Sequence, residues 1–262
     1  MLLAIDCGNT QTTVGMLDDA GTIVHQWRMA TNTTDTKDQL HSRLHSYFAM
    51  FGRNLSEVTH VAIASVVPAL SQEWQAMMHS VLNTEPLMID AKLDCGLCIA
   101  LDNPYELGAD RIANAMAAKA RYGSPVIVVD FGTATNIDVV DADGTFVGGA
   151  IMPGLMLSAQ ALFSRAAKLS SVPLIAPQHA LGSNTETAVQ SGLIVGSAAM
   201  AEGLVERIQT ELLERNPSAP RAVVVATGGL AKTVAQATNI FDYVDGNLTI
   251  YGIYQIWKQQ QP

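Results

Sequence analysis

The sequence predicts a duplicated α/β fold of two halves, each opening with the same strand–turn–strand unit. Three observations point there. One is an internal repeat: residues 2–22 (LLAIDCGNTQTTVGMLDDAGT) and 126–145 (VIVVDFGTATNIDVVDADGT) share one pattern. Another is the helical periodicity that follows each copy. The third is bulk composition. The chain has 262 residues, 48% hydrophobic and 15% charged, which supplies a large core and excludes a disordered chain.

Each copy of the repeat runs from an apolar strand through Asp-x-Gly and small hydroxyl residues into a second apolar stretch. Asp6 aligns with Asp130, and Gly8 with Gly132. The Gly-Thr pairs at 21–22 and 144–145 then match with a one-residue slip. Apolar runs around a Gly-rich turn predict a β-hairpin, and the Asp/Gly turn after them predicts the next one.

The remaining elements follow in order. KDQLHSRLHSYFAM, residues 37–50, places Leu40, Leu44 and Phe48 on one helical stripe. HVAIAS at 60–65 is a short buried strand. Helices are expected at 109–120 and 185–214, and a strand at 221–226. Gly123 and Pro125 punctuate a loop at 121–125, so the halves are drawn at 1–118 and 119–262.

Lys and Arg number 15 against 24 Asp and Glu, a net charge of −9. That balance argues against binding nucleic acid or an anionic membrane by charge alone. It does not argue against a local phosphate site, because backbone amides hold phosphate without net positive charge. The start, MLLAIDCGNT, has no basic segment and meets an acid at residue 6, so no signal peptide is expected. The most apolar stretch, 191–205, is broken by three glycines and Glu202, and no membrane span is expected there. Three cysteines do not make a disulfide framework. These features together suggest a cytoplasmic protein.

Weaker motifs read as structural. Cys95 and Cys98 form a C-x-x-C pair, but no second pair exists to complete a zinc site. They read as small apolar residues in a strand or loop. His41 and His45 share a helix face without an evident third ligand and read as a solvated face. The methionines read as core and interface fillers. Neither a P-loop, a G-x-G-x-x-G fingerprint, a G-x-S-x-G elbow nor H-E-x-x-H occurs.

If the two halves pack side by side, their Asp-x-Gly turns would face each other across a central cleft. Each turn offers backbone N–H groups with no Cβ in the way. Together they would grip a polyphosphate, with Asp6 and Asp130 holding cations.

Six motifs in order carry a family resemblance: Asp6-Cys7-Gly8-Asn9-Thr10, Gly108-Ala109-Asp110-Arg111, Asp130 to Thr135 (DFGTAT), Gly148 to Gly154 (GGAIMPG), Asn184-Thr185 with Ser191-Gly192, and Thr227-Gly228-Gly229. They resemble the type III pantothenate kinases over essentially the whole chain. The resemblance implies a duplicated actin-like (ribonuclease H-like) fold and ATP-dependent phosphorylation of pantothenate, the first step of coenzyme A synthesis. It also implies a homodimer, magnesium, and a monovalent cation, K+ or NH4+.

Residue roles follow from it. Asp110 is the expected general base, positioned to take the proton of the pantothenate hydroxyl. The competing reading is a helix cap. Asp6 would hold magnesium, directly or through water. Cys7, Gly8, Asn9, Thr10, Gln11, Thr12 and Thr13 would surround the ATP phosphates, three of them with hydroxyls. Asp130 would bind the monovalent cation, with Gly132, Thr133 and Ala134 meeting the phosphates. No lysine lies near these motifs to do that work instead. Gly228 and Gly229 would let adenosine approach. Gly108, Ala109, Arg111 and Thr185 would contact pantothenate, Thr185 from the neighbouring subunit. The sequence departs from the family at Leu101, where many members have Tyr, while Tyr105 follows Asn103-Pro104. Two other readings compete: an actin-like kinase or phosphatase acting on a sugar or polyphosphate, and a nucleotide-binding regulator. G-x-D-R counts against the first, and retention of all three aspartates against the second.

Overall fold

The computed structural model describes residues 1–166 and 171–261. Its first sheet begins with the meander β1 (Leu2–Cys7), β2 (Gln11–Leu17) and β3 (Ile23–Ala30). Helix α1 (Lys37–Met50) then leads to β4 (His60–Ser65), parallel to β1. Helix α2 (Pro68–Met77) leads to β5 (Leu87–Ile89), and the sheet order is β3-β2-β1-β4-β5.

The second sheet repeats this plan. After the short β6 (Cys98–Ile99) and α3 (Ala109–Tyr122) comes a second meander: β7 (Val126–Phe131), β8 (Ala134–Val140) and β9 (Thr145–Pro153). Three helices follow: α4 (Leu155–Arg165), α5 (Thr185–Gln190) and α6 (Gly196–Arg215). Then β10 (Val223–Thr227) and β11 (Tyr243–Val244) flank α7 (Ala231–Val234), and α8 (Leu248–Gln259) closes the chain. The sheet order is β11-β10-β7-β8-β9-β6. Without the added β6 it matches the first sheet strand for strand, which is the repeat seen in the sequence.

The hairpin loops match in detail as well. Asp18 Oδ1 accepts the Ala20 and Thr22 N–H groups, and Asp141 Oδ1 accepts those of Asp143 and Thr145. Gly21 and Gly144 take φ of 81° and 77°, the left-handed conformation such loops require.

Each unit has its own core. In the first, Leu40, Leu44 and Phe48 of α1 and Trp74 of α2 pack with Leu3, Ile5, Val14, Met16 and Ile63. In the second, Ala198, Ala201 and Val205 of α6 pack with Ile127, Val129, Ile137 and Val224. Burying large aliphatic or aromatic side chains such as these gives about 1.5–3 kcal/mol each, which offsets chain entropy. Unit one comprises Met1–Leu97, Asp102–Ala117 and Leu248–Pro262, and unit two Cys98–Leu101 and Ala118–Asn247.

Several boundaries differ from expectation. The sequence places 248–262 in the second half, but α8 groups with the first sheet. Its Gly252 explains this locally: a Cβ there would lie 1.9 Å from the Ala113 carbonyl oxygen, so α8 and α3 touch backbone to backbone. The helix expected at 109–120 runs to Tyr122, where Gly123 (φ 80°) ends it. The strand expected at 221–226 is Val223–Thr227. The helix expected at 185–214 contains a π-type turn, Ser191–Val195. This helix, Thr185–Arg215, is long and apolar enough by length and composition alone to cross a membrane, a test that the core helix of a soluble protein also passes. Glycines do not interrupt it, because propensity is a weak force beside tertiary packing.

Candidate active site

In the first unit, β1 ends in a turn whose Gly8 N–H donates to the Gln11 carbonyl at 3.1 Å. Asn9, Thr10 and Gln11 are exposed, and Asp6 and Thr13 are half-buried. A side chain at position 8 would sit 3.1 Å from the Gln11 oxygen, so glycine keeps the turn tight. Cys7 is fully buried, and burial pushes its thiol pKa up. It is a neutral filler under the turn, so only its backbone can meet a ligand. Thr12 is only 2% exposed, and its hydroxyl lies 2.9 Å from that of Thr31. The Cys7 sulfur lies 3.6 Å from the same hydroxyl.

Asp110 stands at the same edge of the first sheet. Val66, just past β4, donates its N–H to the Cys7 carbonyl at 3.1 Å. A Cβ on Gly108 would lie 3.4 Å from the Val66 side chain and 2.6 Å from Asp110 Oδ1. Glycine at 108 therefore leaves the Asp110 carboxylate its place beside the end of β1. Asp110 is in the first turn of α3, not at the cap, and accepts the Arg111 N–H at 2.8 Å. Burial raises its pKa above the usual carboxylate value, and the Arg111 N–H and charge pull the other way. Arg111 and Gly108 are half-buried, Ala109 is buried, and Tyr105 is exposed on a 3-10 turn.

In the second unit, the corresponding turn is one residue shorter. Gly132 N–H donates to the Ala134 carbonyl at 3.1 Å. The shorter loop accounts for the one-residue slip in the repeat. Asp130 is half-buried at the end of β7, and Thr133 is exposed. Gly228 takes φ of 93°, and a Cβ there would come within 2.4 Å of Asp130 Oδ1. Gly229 is open, with nothing within 4 Å of its Cβ position. Leu101 is half-buried, 4.0 Å from the Gly148 Cβ position.

Thr185 is exposed at the start of α5. It is not the cap: Asn184 caps the helix, accepting the Thr187 N–H at 2.9 Å. A hollow of about 600 Å³ beside it is lined by Ser158, Leu162, Thr185 and Leu193 among others. Two residues of the turns escape motif reading. Thr31 braces the first turn, and Gly154 underlies the second, where a Cβ would lie 2.1 Å from the Thr133 carbonyl oxygen. Aligning the repeat through β3 and β9 would have paired them.

The family model for type III pantothenate kinase matches residues 2–207. The chain belongs to the type III pantothenate kinase family. A relative so named from Roseiflexus sp. (strain RS-1) is 44% identical over 100% of both chains. Another, from Thermomicrobium roseum, is 43% identical over 99% of this chain and 97% of its own. Among solved structures, a putative Baf family transcriptional activator from Campylobacter jejuni superposes with TM-score 0.63 at 17% identity, covering 98% of each chain. A putative 2-dehydro-3-deoxygalactonokinase from Sinorhizobium meliloti gives 0.54 at 15% identity, covering 100% of this chain and 97% of that one. Those two share the fold, which is the duplicated actin-like one. The family phosphorylates pantothenate in coenzyme A biosynthesis, so this chain is a kinase.

The residues fit the cations that the family implies. Asp6 and Asp130 are hard oxygen donors at strand ends beside glycine turns. Magnesium in kinases is held by one or two carboxylates plus substrate phosphates, not by a full protein cage. Among the described residues there is accordingly no cluster of three or more His, Cys, Asp or Glu. The space a Cβ at 228 would fill beside Asp130 is left open by glycine.

Proposed function

We propose that Asp110 is the general base of pantothenate phosphorylation. Its carboxylate takes the proton of the pantothenate primary hydroxyl as that oxygen bonds to the γ-phosphorus of ATP. The bond from the γ-phosphorus to the β–γ bridging oxygen breaks, and ADP leaves. One observation carries this reading: Asp110 is a half-buried carboxylate whose pKa burial raises, and it stands beside Gly108 near Val66, which bonds to the end of β1 where the phosphate turn begins. A raised pKa makes a carboxylate a better proton acceptor near neutral pH.

The other roles divide between the units. Backbone N–H groups from Gly8 to Thr13, with the Thr10 and Thr13 hydroxyls, take the ATP phosphates. The N–H groups of Gly132, Thr133 and Ala134 also bind phosphate, and Gly228-Gly229 accept the adenosine. Asp6 holds magnesium and Asp130 holds K+ or NH4+; bound there, the cations neutralise phosphate charge. Arg111, with its forked donors, and Gly108 orient pantothenate. Leu101 supplies an aliphatic wall.

Thr185 serves the partner subunit of a homodimer. Support comes from exposed apolar side chains of the second unit: Ile151 is 66% exposed, and Met156, Leu157 and Met200 about half. Met156 and Leu157 both belong to α4, the helix whose Ser158 and Leu162 line the hollow beside Thr185. A second copy covering them leaves no role for a membrane and fits a cytoplasmic enzyme without nucleic-acid partners.

The test is direct. Purified protein is incubated with ATP, magnesium and potassium, and phosphopantothenate is sought by mass spectrometry, with sugars as controls. Product from pantothenate alone is expected. No product from fresh protein rejects the reading. Replacing K+ and NH4+ by Na+ should abolish most activity, and unchanged rates would remove Asp130 from its role. Light scattering should give twice the chain mass.

A further inference from the structure

We infer that Thr31 is a positioning residue for the first phosphate turn, acting through Gly8 and Thr12. This rests on the kinase reading of that turn. Thr31 directly follows β3 and bonds to the turn three times. Its N–H donates to the Thr10 carbonyl at 2.9 Å. Its hydroxyl donates to the Gly8 carbonyl at 2.7 Å. The same hydroxyl lies 2.9 Å from that of Thr12.

Proton counting assigns the direction of the last bond. A carbonyl cannot donate, so the single Thr31 hydroxyl proton goes to Gly8. Thr12 must then donate to Thr31. Its alternative acceptor, the Cys7 sulfur, is 3.6 Å away and weaker. The Thr12 proton is thus committed inside the protein. With the Gly8 carbonyl tied to Thr31, the plane of the peptide that follows it is held, and with it the direction of the Asn9 N–H. That N–H belongs to the part of the turn offered to phosphate.

A second, independent set of contacts holds the loop that follows Thr31. That loop contains Asp35, a carboxylate only 3% exposed. Arg43 of α1 grips Asp35 as a fork, at 2.5 and 2.9 Å. Asn32 Nδ2 donates to the same carboxylate at 3.1 Å, and Asp35 N–H donates to the Asn32 carbonyl at 3.0 Å. A capping box between Thr36 and Gln39 then starts α1. The Asp35 carboxylate is buried while the Arg43 side chain is over a third exposed, and the forked geometry fixes their relative placement. The loop is therefore anchored to α1, and the hydroxyl of Thr31 is held under the turn.

The test compares Thr31→Val, which keeps the shape and loses the hydroxyl, with Thr31→Ser, which keeps the hydroxyl. The readouts are KM for ATP, KM for pantothenate, kcat, melting temperature, and ADP affinity by calorimetry. Thr31→Val should raise KM for ATP and weaken ADP binding on the order of 3- to 10-fold, the worth of one or two hydrogen bonds. KM for pantothenate should stay within twofold, and Thr31→Ser should restore ATP binding. Unchanged ADP affinity in folded Thr31→Val, or no rescue by serine, overturns the inference. If Thr31→Val does not fold, Asp35→Asn loosens the same loop, and unchanged ADP affinity there overturns it equally. Calorimetry separates this from the kinase reading: wild-type protein that binds ADP but makes no phosphopantothenate sinks that reading alone.

Discussion

The two Asp-x-Gly turns come from one repeated motif, yet they are supported in opposite ways. The first spans one more residue and is braced from below by a side chain, the Thr31 hydroxyl on the Gly8 carbonyl. The second is shorter and rests on bare backbone. Gly154 occupies the place after β9 that Thr31 occupies after β3, and a Cβ there would lie 2.1 Å from the Thr133 oxygen and 2.6 Å from that of Gly132. A hydrogen-bonded brace can be weakened by degrees, whereas a backbone contact at that distance accepts no side chain. The duplicated halves therefore share topology and differ in tolerance. The first also carries Asp110, and the second the Gly228 approach to Asp130.

The largest contrast lies in chemistry. Asp110→Asn should cut kcat by about 10²–10⁴-fold, the usual worth of a general base, while ADP affinity measured by calorimetry stays near wild type. Near-normal turnover would remove Asp110 from that role. The same substitution tests the electrostatics. Burial raises the folded pKa of Asp110, so between its unfolded and folded pKa values the native state binds more protons. Stability therefore falls as pH rises through that window. Asparagine cannot ionise, so the variant should melt at or above the wild-type temperature at neutral pH. In the wild type, the acid limb of kcat/KM should have its midpoint above the ordinary carboxylate range.

Next comes the backbone support. Gly154→Ala should destabilise the second unit by at least about 1–3 kcal/mol, the cost of overpacking, with loss of ATP binding. A denaturant titration and an ADP isotherm would show this. If Gly154→Ala proves milder than Thr31→Val in nucleotide affinity, the proposed difference between the turns is wrong.

Gly228→Ala combines a left-handed φ with a Cβ 2.4 Å from Asp130 Oδ1. The conformation alone costs roughly 1–2 kcal/mol. Potassium activation should shift to higher concentration in a titration of rate against K+. An unchanged curve would separate Gly228 from the cation carboxylate.

The smallest effect compares the hairpin loops. Gly21→Ala would push a Cβ to 2.5 Å from the Tyr254 ring, whereas Gly144→Ala meets only the end of the Lys119 side chain at 2.8 Å. Both carry the conformational cost of about 1 kcal/mol. Only the first adds a clash that cannot swing away, so it should lower the melting temperature further. Equal shifts would mean that Tyr254 yields.

Most of the fold was legible. The repeated strands read as short apolar runs around Asp-x-Gly, and the Asp/Gly loops carry their own conformational requirement at Gly21 and Gly144. Helix α1 was legible because Leu40, Leu44 and Phe48 mark its buried stripe. Strand β6, only two residues long, was not, because so short a segment has no period. The allegiance of α8 was also hidden. Which sheet it covers rests on contacts between distant parts of the chain, such as Ile250 against Gly15 of β2. At the site, the motif residues were legible, and their supports were not. Thr31 lies 23 residues from Gly8 and becomes its neighbour only because β2 and β3 pair in register.

The sequence by itself determined the duplication and the family, and it supplied the candidate acid, turn and cation residues. Those properties live in local spacing, and spacing survives in one dimension. The tertiary structure alone decided what each residue does with its protons and space. It set the Thr12 hydroxyl 2.9 Å from that of Thr31, raised the pKa of Asp110 by burial, and set Gly154 beneath the second turn. Hydrogen-bond direction, desolvation and close packing are all properties of neighbours in space, and no linear pattern contains them.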